Sequence, residues 1–215
     1  MNELIPALPL LLAFLAAAFL LAVIPGPGVA YIVTRTLVQG RASGLASVAG
    51  VAFGNFGNAA AASIGLAALL ATSATAFSFI KYAGAAYLCY LGIEALRSNP
   101  SGASSQASQT SNWRVLGQGF LVALLNPKTT LFFAAFLPQF MQPTAAPVLQ
   151  ALALSALFVA VAAATDSGYV LLASAVAPAL QSSRNALRSG RFVAAAAYFA
   201  LGIYAALSGS RQATA

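Results

Sequence analysis

Two charged residues stand in stretches of this sequence where charge is costly. Lys128 follows Asn126 and Pro127, fourteen residues after Arg114 and ten before Pro138, inside an otherwise apolar run from Val115 to Leu137. An ammonium at the middle of a membrane helix costs about 3 kcal/mol on the insertion scale, so its presence marks a function by default. Pro127 breaks the local helix, and Asn126 can hydrogen-bond the freed backbone or a ligand. A discontinuous helix with a cation at its gap suits an anionic group of a substrate. The plainer reading is a lysine that snorkels to the interface from a shorter span. Asp166, within Thr165-Asp166-Ser167-Gly168-Tyr169, is the only acid well inside an apolar run. It could hold a proton, bind an ammonium, or act as a purely structural partner of Lys128.

A second interruption lies near the start of the chain. Pro25-Gly26-Pro27-Gly28 removes two backbone donors and adds two flexible positions within four residues, which no straight helix accommodates well. Carbonyls freed inside a membrane must be satisfied by protein or cavity water, so the motif marks a cavity or hinge. A simple helix end near the surface, with Arg35 close by, explains it equally well. Asn55 and Asn58 share one face of a helix beside a stripe of Gly50, Gly54 and Gly57; helix packing accounts for the amides as well as substrate contact does. Glu94 lies one turn before Arg97 and reads as an ordinary i,i+3 ion pair.

The elements that must position these residues belong to a membrane. Of 215 residues, 60% are hydrophobic and 6% charged, against roughly 25% charged in a soluble domain. Ten Lys and Arg against three acids give a net charge of +7, but the basic residues sit at segment ends without stacking motifs, which signals topology rather than nucleic acid. Histidine is absent and Cys89 is the only cysteine, which removes histidine metal sites, Ser-His triads, histidine proton relays and any intrachain disulfide. No metal site and no cofactor is expected. The first apolar run, Leu4 to Ile24, is too long for an ordinary signal-peptide core and lacks a basic leader, so it reads as a retained helix.

Hydropathy and punctuation divide the chain into six spans: about Ile5 to Tyr31, Ala46 to Leu70, Phe77 to Leu96, Val115 to Leu137, Val148 to Ala175 and Phe192 to Leu207, each near the 20 or so residues a bilayer needs. Arg35, Arg41, Arg97, Arg114, Arg184, Arg188 and Arg191 fall on one side; Lys81 and Arg211 fall on the other. The positive-inside rule places the former in the cytoplasm and both termini outside. Three spans, a Ser/Gly/Gln-rich linker at 99–112, and three more spans suggest a duplication with half-repeats at about 1–98 and 113–210. Phe19-Leu20-Leu21-Ala22-Val23-Ile24 before Pro25-Gly26-Pro27 parallels Phe120-Leu121-Val122-Ala123-Leu124-Leu125 before Asn126-Pro127-Lys128, and Leu91-Gly92-Ile93 echoes Leu201-Gly202-Ile203. An odd number of helices per half makes the copies inverted, as in many secondary transporters. The expected fold is therefore an all-α, polytopic membrane protein. Its single transporter domain over 1–215 has six transmembrane helices in two inverted three-helix repeats.

The motifs in order carry a resemblance. Pro25-Gly26-Pro27, then Gly40-Arg41-Ala42-Ser43-Gly44-Leu45, Gly84-Ala85-Ala86-Tyr87-Leu88 with Tyr90-Leu91-Gly92, Gly119-Phe120 leading into Asn126-Pro127-Lys128, Phe132-Phe133, and Leu137-Pro138-Gln139-Phe140 together resemble the LysE/RhtB family of amino-acid exporters over essentially the whole chain. The resemblance implies export of amino acids or close derivatives from the bacterial cytoplasm across the inner membrane, driven by the proton motive force. Family members often carry an acid at the Gly-rich start of the second helix and a histidine shortly after. Asn55 and Asn58 stand there instead, which disfavours a dibasic substrate and gives Asp166 more weight. The binding or coupling set is then Lys128, Asp166, Asn126, Pro127, Pro25, Gly26, Pro27, Asn55 and Asn58. Lys128 would take the carboxylate of a neutral zwitterion and Asp166 its ammonium. The partners are the amino acid, protons and the bilayer. Packed glycines permit a homodimer without requiring one. The alternative is an inorganic or metal ion transporter of related architecture, for which the ligands are sparse. An enzyme is not expected, because no nucleophile-base pair is visible.

Overall fold

The computed structural model describes residues 5–63, 74–97, 111–142, 147–181 and 184–207, and every regular element among them is helical. The first broken helix consists of α1 (Leu8–Val23) and α2 (Pro27–Gln39), bent by 51° at the break. Pro27 opens α2 at the position where a missing N–H does no harm, and Gly40, at φ 87°, ends it. Next come α3 (Arg41–Ser63) and α4 (Ala74–Arg97). The second broken helix consists of α5 (Asn112–Leu124) and α6 (Pro127–Leu131). After α6 the chain widens into a π turn over Phe132–Phe136 and tightens to 3-10 over Leu137–Phe140. Two long helices finish the fold, α7 (Pro147–Gln181) and α8 (Arg184–Leu207).

By length and composition alone, α7 between Pro147 and Pro178 can cross a membrane, and α1 with α2 qualify when taken together. The distribution of side chains is that of a protein in lipid. Leu12, Phe19, Phe53, Leu172 and Val193 face outward, while Thr36, Ser47, Gln150 and Ser155 are fully buried.

Several helix ends differ from those expected. The first broken helix runs to Gln39 rather than Tyr31, so Arg35 is helical and not in a loop; α5 already includes Arg114, and α8 starts at Arg184. Hydropathy stops at the first charge, whereas a helix continues past it: Arg114 is exposed, and Arg35 turns its head to Gln118. Helix α7 likewise continues through Pro178. Of the linker expected at 99–112, only Ser111 and Asn112 are described, and Asn112 opens α5.

Apolar packing forms two clusters with the helix breaks between them. One gathers Tyr31, Ile32, Val51, Leu91, Val122 and Tyr198 toward the arginine-bearing end. The other is aromatic, with Phe158 centred 4.8 Å from Phe132 and 5.0 Å from Phe133, and Phe14 set 5.4 Å from Phe140. Helix α3 packs chiefly against α5 and α7, α4 against α8, and α7 against both parts of the first broken helix. The α3/α5 seam is backbone-close: a Cβ on Gly50 would fall 2.2 Å from the Leu116 carbonyl oxygen, and one on Gly54 2.4 Å from that of Phe120. Only glycine permits that approach.

Candidate functional site

In an α-helix the N–H of residue i+4 serves the carbonyl of residue i. The backbone turns extended at Ile24 (ψ 115°) and Gly26 (φ −138°), so α1 ends and the carbonyls of Leu21 and Val23 meet no backbone donor, Pro25 removing one itself. Both carbonyls are met by side chains from later in the chain. Lys128 Nζ donates to the Leu21 oxygen at 2.7 Å and to the Ile24 oxygen at 2.5 Å. The Tyr169 hydroxyl, on α7, donates to the Val23 oxygen at 2.7 Å. Gly26 leaves room for the lysine, since a Cβ there would lie 3.5 Å from Lys128 Cδ.

The second break is completed differently. Asn126 caps α6, its Oδ1 accepting from the Lys128 backbone N–H at 3.1 Å. Thr130 Oγ1 donates back to the Asn126 carbonyl at 3.0 Å. Pro127 frees the Ala123 carbonyl, which accepts from the Asn126 N–H at 3.1 Å and from Asn58 Nδ2 at 2.8 Å. Thr130 also donates to Asn58 Oδ1 at 3.4 Å.

Between the breaks lies a cavity of about 50 Å³, room for roughly four waters. That is comparable with the ammonium, α-carbon and carboxylate of one amino acid. Its polar lining is Lys128, Asp166, Asn55, Asn126 and Thr129, with Gly26, Gly28 and Val29 from the start of α2 and Phe158 and Ala162 from α7. Asp166 is only 6% exposed and Asn55 only 5%, and Asn55 Oδ1 has no hydrogen-bond partner. Lys128 and Asp166 both line this space, yet no ion pair joins them among the described residues. The N–H groups of Gly28 and Val29 precede the first helical bond of α2, from Ala30 to Gly26, and sit where a helix N-terminus favours an anion. The cavity is thus lined by a cation close to the start of α2, by a carboxylate, and by an amide whose oxygen has no partner.

The residues singled out in the sequence separate into two groups. Lys128, Asp166, Asn126, Gly26 and Asn55 line the cavity. Pro25, Pro27, Pro127 and Asn58 shape the breaks around it, and Asn58 faces the α5 backbone although it shares a helix face with Asn55. Glu94 does not pair with Arg97 among the described residues. It accepts from Gln118 Nε2 at 3.0 Å, Gln118 Oε1 in turn accepts from Arg35, and Arg35 lies 5.4 Å over the Tyr31 ring. The exposed end of α4 leaves Arg97 to water, while the half-buried Glu94 turns to α5. Tyr169 was missed as a site residue; its place three residues after Asp166, hence on the same helix face, was the available signal.

The family model for the LysE type translocator matches residues 19–209, which takes in both breaks and every cavity-lining residue. The chain belongs to this family. No curated protein and no solved structure matches it. As a LysE type translocator it is a helical membrane protein of the efflux class, exporting amino acids or related compounds. In this translocator the family's span covers α2 to α8 and the last turn of α1, so the cavity belongs to the part of the chain that the family defines.

Proposed function

We propose that this translocator exports neutral, zwitterionic amino acids from the bacterial cytoplasm across the inner membrane, driven by the proton motive force. The observation that carries the reading is the placement of Lys128 and Asp166 on one cavity without an ion pair between them. Two opposite charges held apart in a space the size of an amino-acid head match the two charges of a zwitterion. The carboxylate goes to Lys128 and the N-terminal amides of α2, and the ammonium goes to Asp166 and Asn55 Oδ1. Asp166 is also the buried acid that can carry a proton through a transport cycle. In this reading the chain is one domain of six spans with both termini outside, its halves being inverted repeats. The pairings of α4 with α8 and of α3 with α7, elements holding like places in the two halves, support that arrangement.

Cells loaded with a panel of dipeptides test the substrate class, because hydrolysis then supplies every amino acid from inside. Expression of the protein should raise the external concentration of neutral amino acids and leave lysine and arginine unchanged. Preferential export of the dibasic amino acids, or efflux of an inorganic cation without any amino acid, would overturn the proposal.

A further inference from the structure

The end of α1 leaves the Leu21, Val23 and Ile24 carbonyls without backbone donors, and the two side chains that answer are unlike. Lys128 is charged, lines the cavity and bonds two carbonyls, those of Leu21 and Ile24. Tyr169 is neutral, lies outside the cavity lining and bonds only Val23. Under the function proposed above, Lys128 must give up carbonyl partners whenever a substrate carboxylate takes them over. If it were the sole support, that exchange would leave the last turn of α1 without any side-chain donor. Bare carbonyls in lipid are strongly unfavourable, so the turn would then shift or the lysine would stay where it is.

We infer that Tyr169 is a positioning residue. Its hydroxyl supplies the donor that the Val23 carbonyl lacks at the end of α1 and pins the C-terminal turn of α1 to α7, while Lys128 exchanges the Leu21 and Ile24 carbonyls for the substrate. The pinning follows from the geometry alone; the exchange by Lys128 rests on the proposed function. Asp166 stands one turn away from Tyr169 on the same helix face. The pin therefore also fixes the spacing between the carboxylate and the first break, whose Leu21 and Ile24 carbonyls hold the Lys128 head.

The test uses the full chain in lipid nanodiscs with no amino acid added, so its outcome does not depend on the substrate reading. Amide hydrogen exchange over residues 20–30 should run about tenfold faster in Tyr169→Phe, which corresponds to losing one hydrogen bond. Exchange over residues 150–160 of α7 should stay unchanged in the same variant, which separates a specific pin from general loosening. Tyr169→Gln, which keeps a donor, should exchange slowly. Unchanged exchange in Tyr169→Phe, an equal acceleration over residues 150–160, or fast exchange in Tyr169→Gln would overturn the inference.

Discussion

The break at residues 24–26 and the break at 125–126 interrupt helices at the same cavity, and their hydrogen bonds come from different places. At the first, the freed carbonyls are served by Lys128 and Tyr169, more than a hundred residues away in sequence. At the second, Asn126 and Thr130 close the turn from within it, and Asn58 adds a buried amide. Val23 and Ile24 are exposed, whereas Asn126, Thr129 and Thr130 are buried. Borrowed donors can be withdrawn by a competing ligand; a cap that belongs to its own helix cannot. The second break therefore behaves as the fixed platform that presents Lys128, and the first as the part that responds to what Lys128 binds.

Removing the borrowed charge should have the largest effect. Lys128→Met is expected to abolish export in the dipeptide assay while the protein still inserts and elutes as a folded species. Lys128→Arg should keep part of the activity, because charge survives although geometry changes. Met variants that export normally would reduce Lys128 to a support of the α1 end. Next comes Asp166→Asn, which should stop gradient-driven net export in reconstituted vesicles while substrate-for-substrate exchange persists. Breaking a buried ion pair costs about 3–5 kcal/mol, but no such pair joins Asp166 to Lys128 here, so the Asn variant should melt close to the parent. A collapse in its melting temperature would show that the two charges depend on each other after all.

Smaller effects should separate the breaks themselves. Asn126→Ala removes the cap of the fixed platform and should destabilise the protein by about 1 kcal/mol, read by unfolding in mixed detergent. Asn58→Leu removes one interhelical hydrogen bond and should cost about 0.6 kcal/mol, the average for such bonds in a membrane protein. The Ala123 carbonyl keeps its backbone donor in that variant. Should Asn58→Leu prove more damaging than Asn126→Ala, the second break would depend on a neighbouring helix as much as the first does.

The interruptions were legible in the sequence because proline states its effect locally: Pro25, Pro27 and Pro127 each delete a donor whatever surrounds them. The two odd charges were legible because lipid makes charge conspicuous. What replaces a deleted donor was not legible, since it depends on which helix lies opposite. Nothing in the neighbourhood of Tyr169 names Val23, and nothing near Asn58 names Ala123. The i,i+3 spacing of Glu94 and Arg97 pointed to a local pair, but burial on α4 turned Glu94 toward Gln118 instead. Spacing along one helix decides which side chains share a face, not which face is occupied by a neighbour.

The glycine seam between α3 and α5 makes the cavity vulnerable from a distance. A methyl group added at Gly54 would meet the Phe120 carbonyl at 2.4 Å and the Ala123 side chain at 2.7 Å, and would work as a wedge between the two helices. Helix α5 ends only two residues before Asn126, so prying it from α3 moves the foundation on which the lysine stands. The same wedge would displace Asn55, the next residue after Gly54. A substitution that touches neither substrate nor charge would thus detune both sides of the proposed zwitterion site together. Loss of transport caused by small residues growing larger along this seam should accordingly be read as a lever acting on the cavity, not as a sign that the substrate passes there.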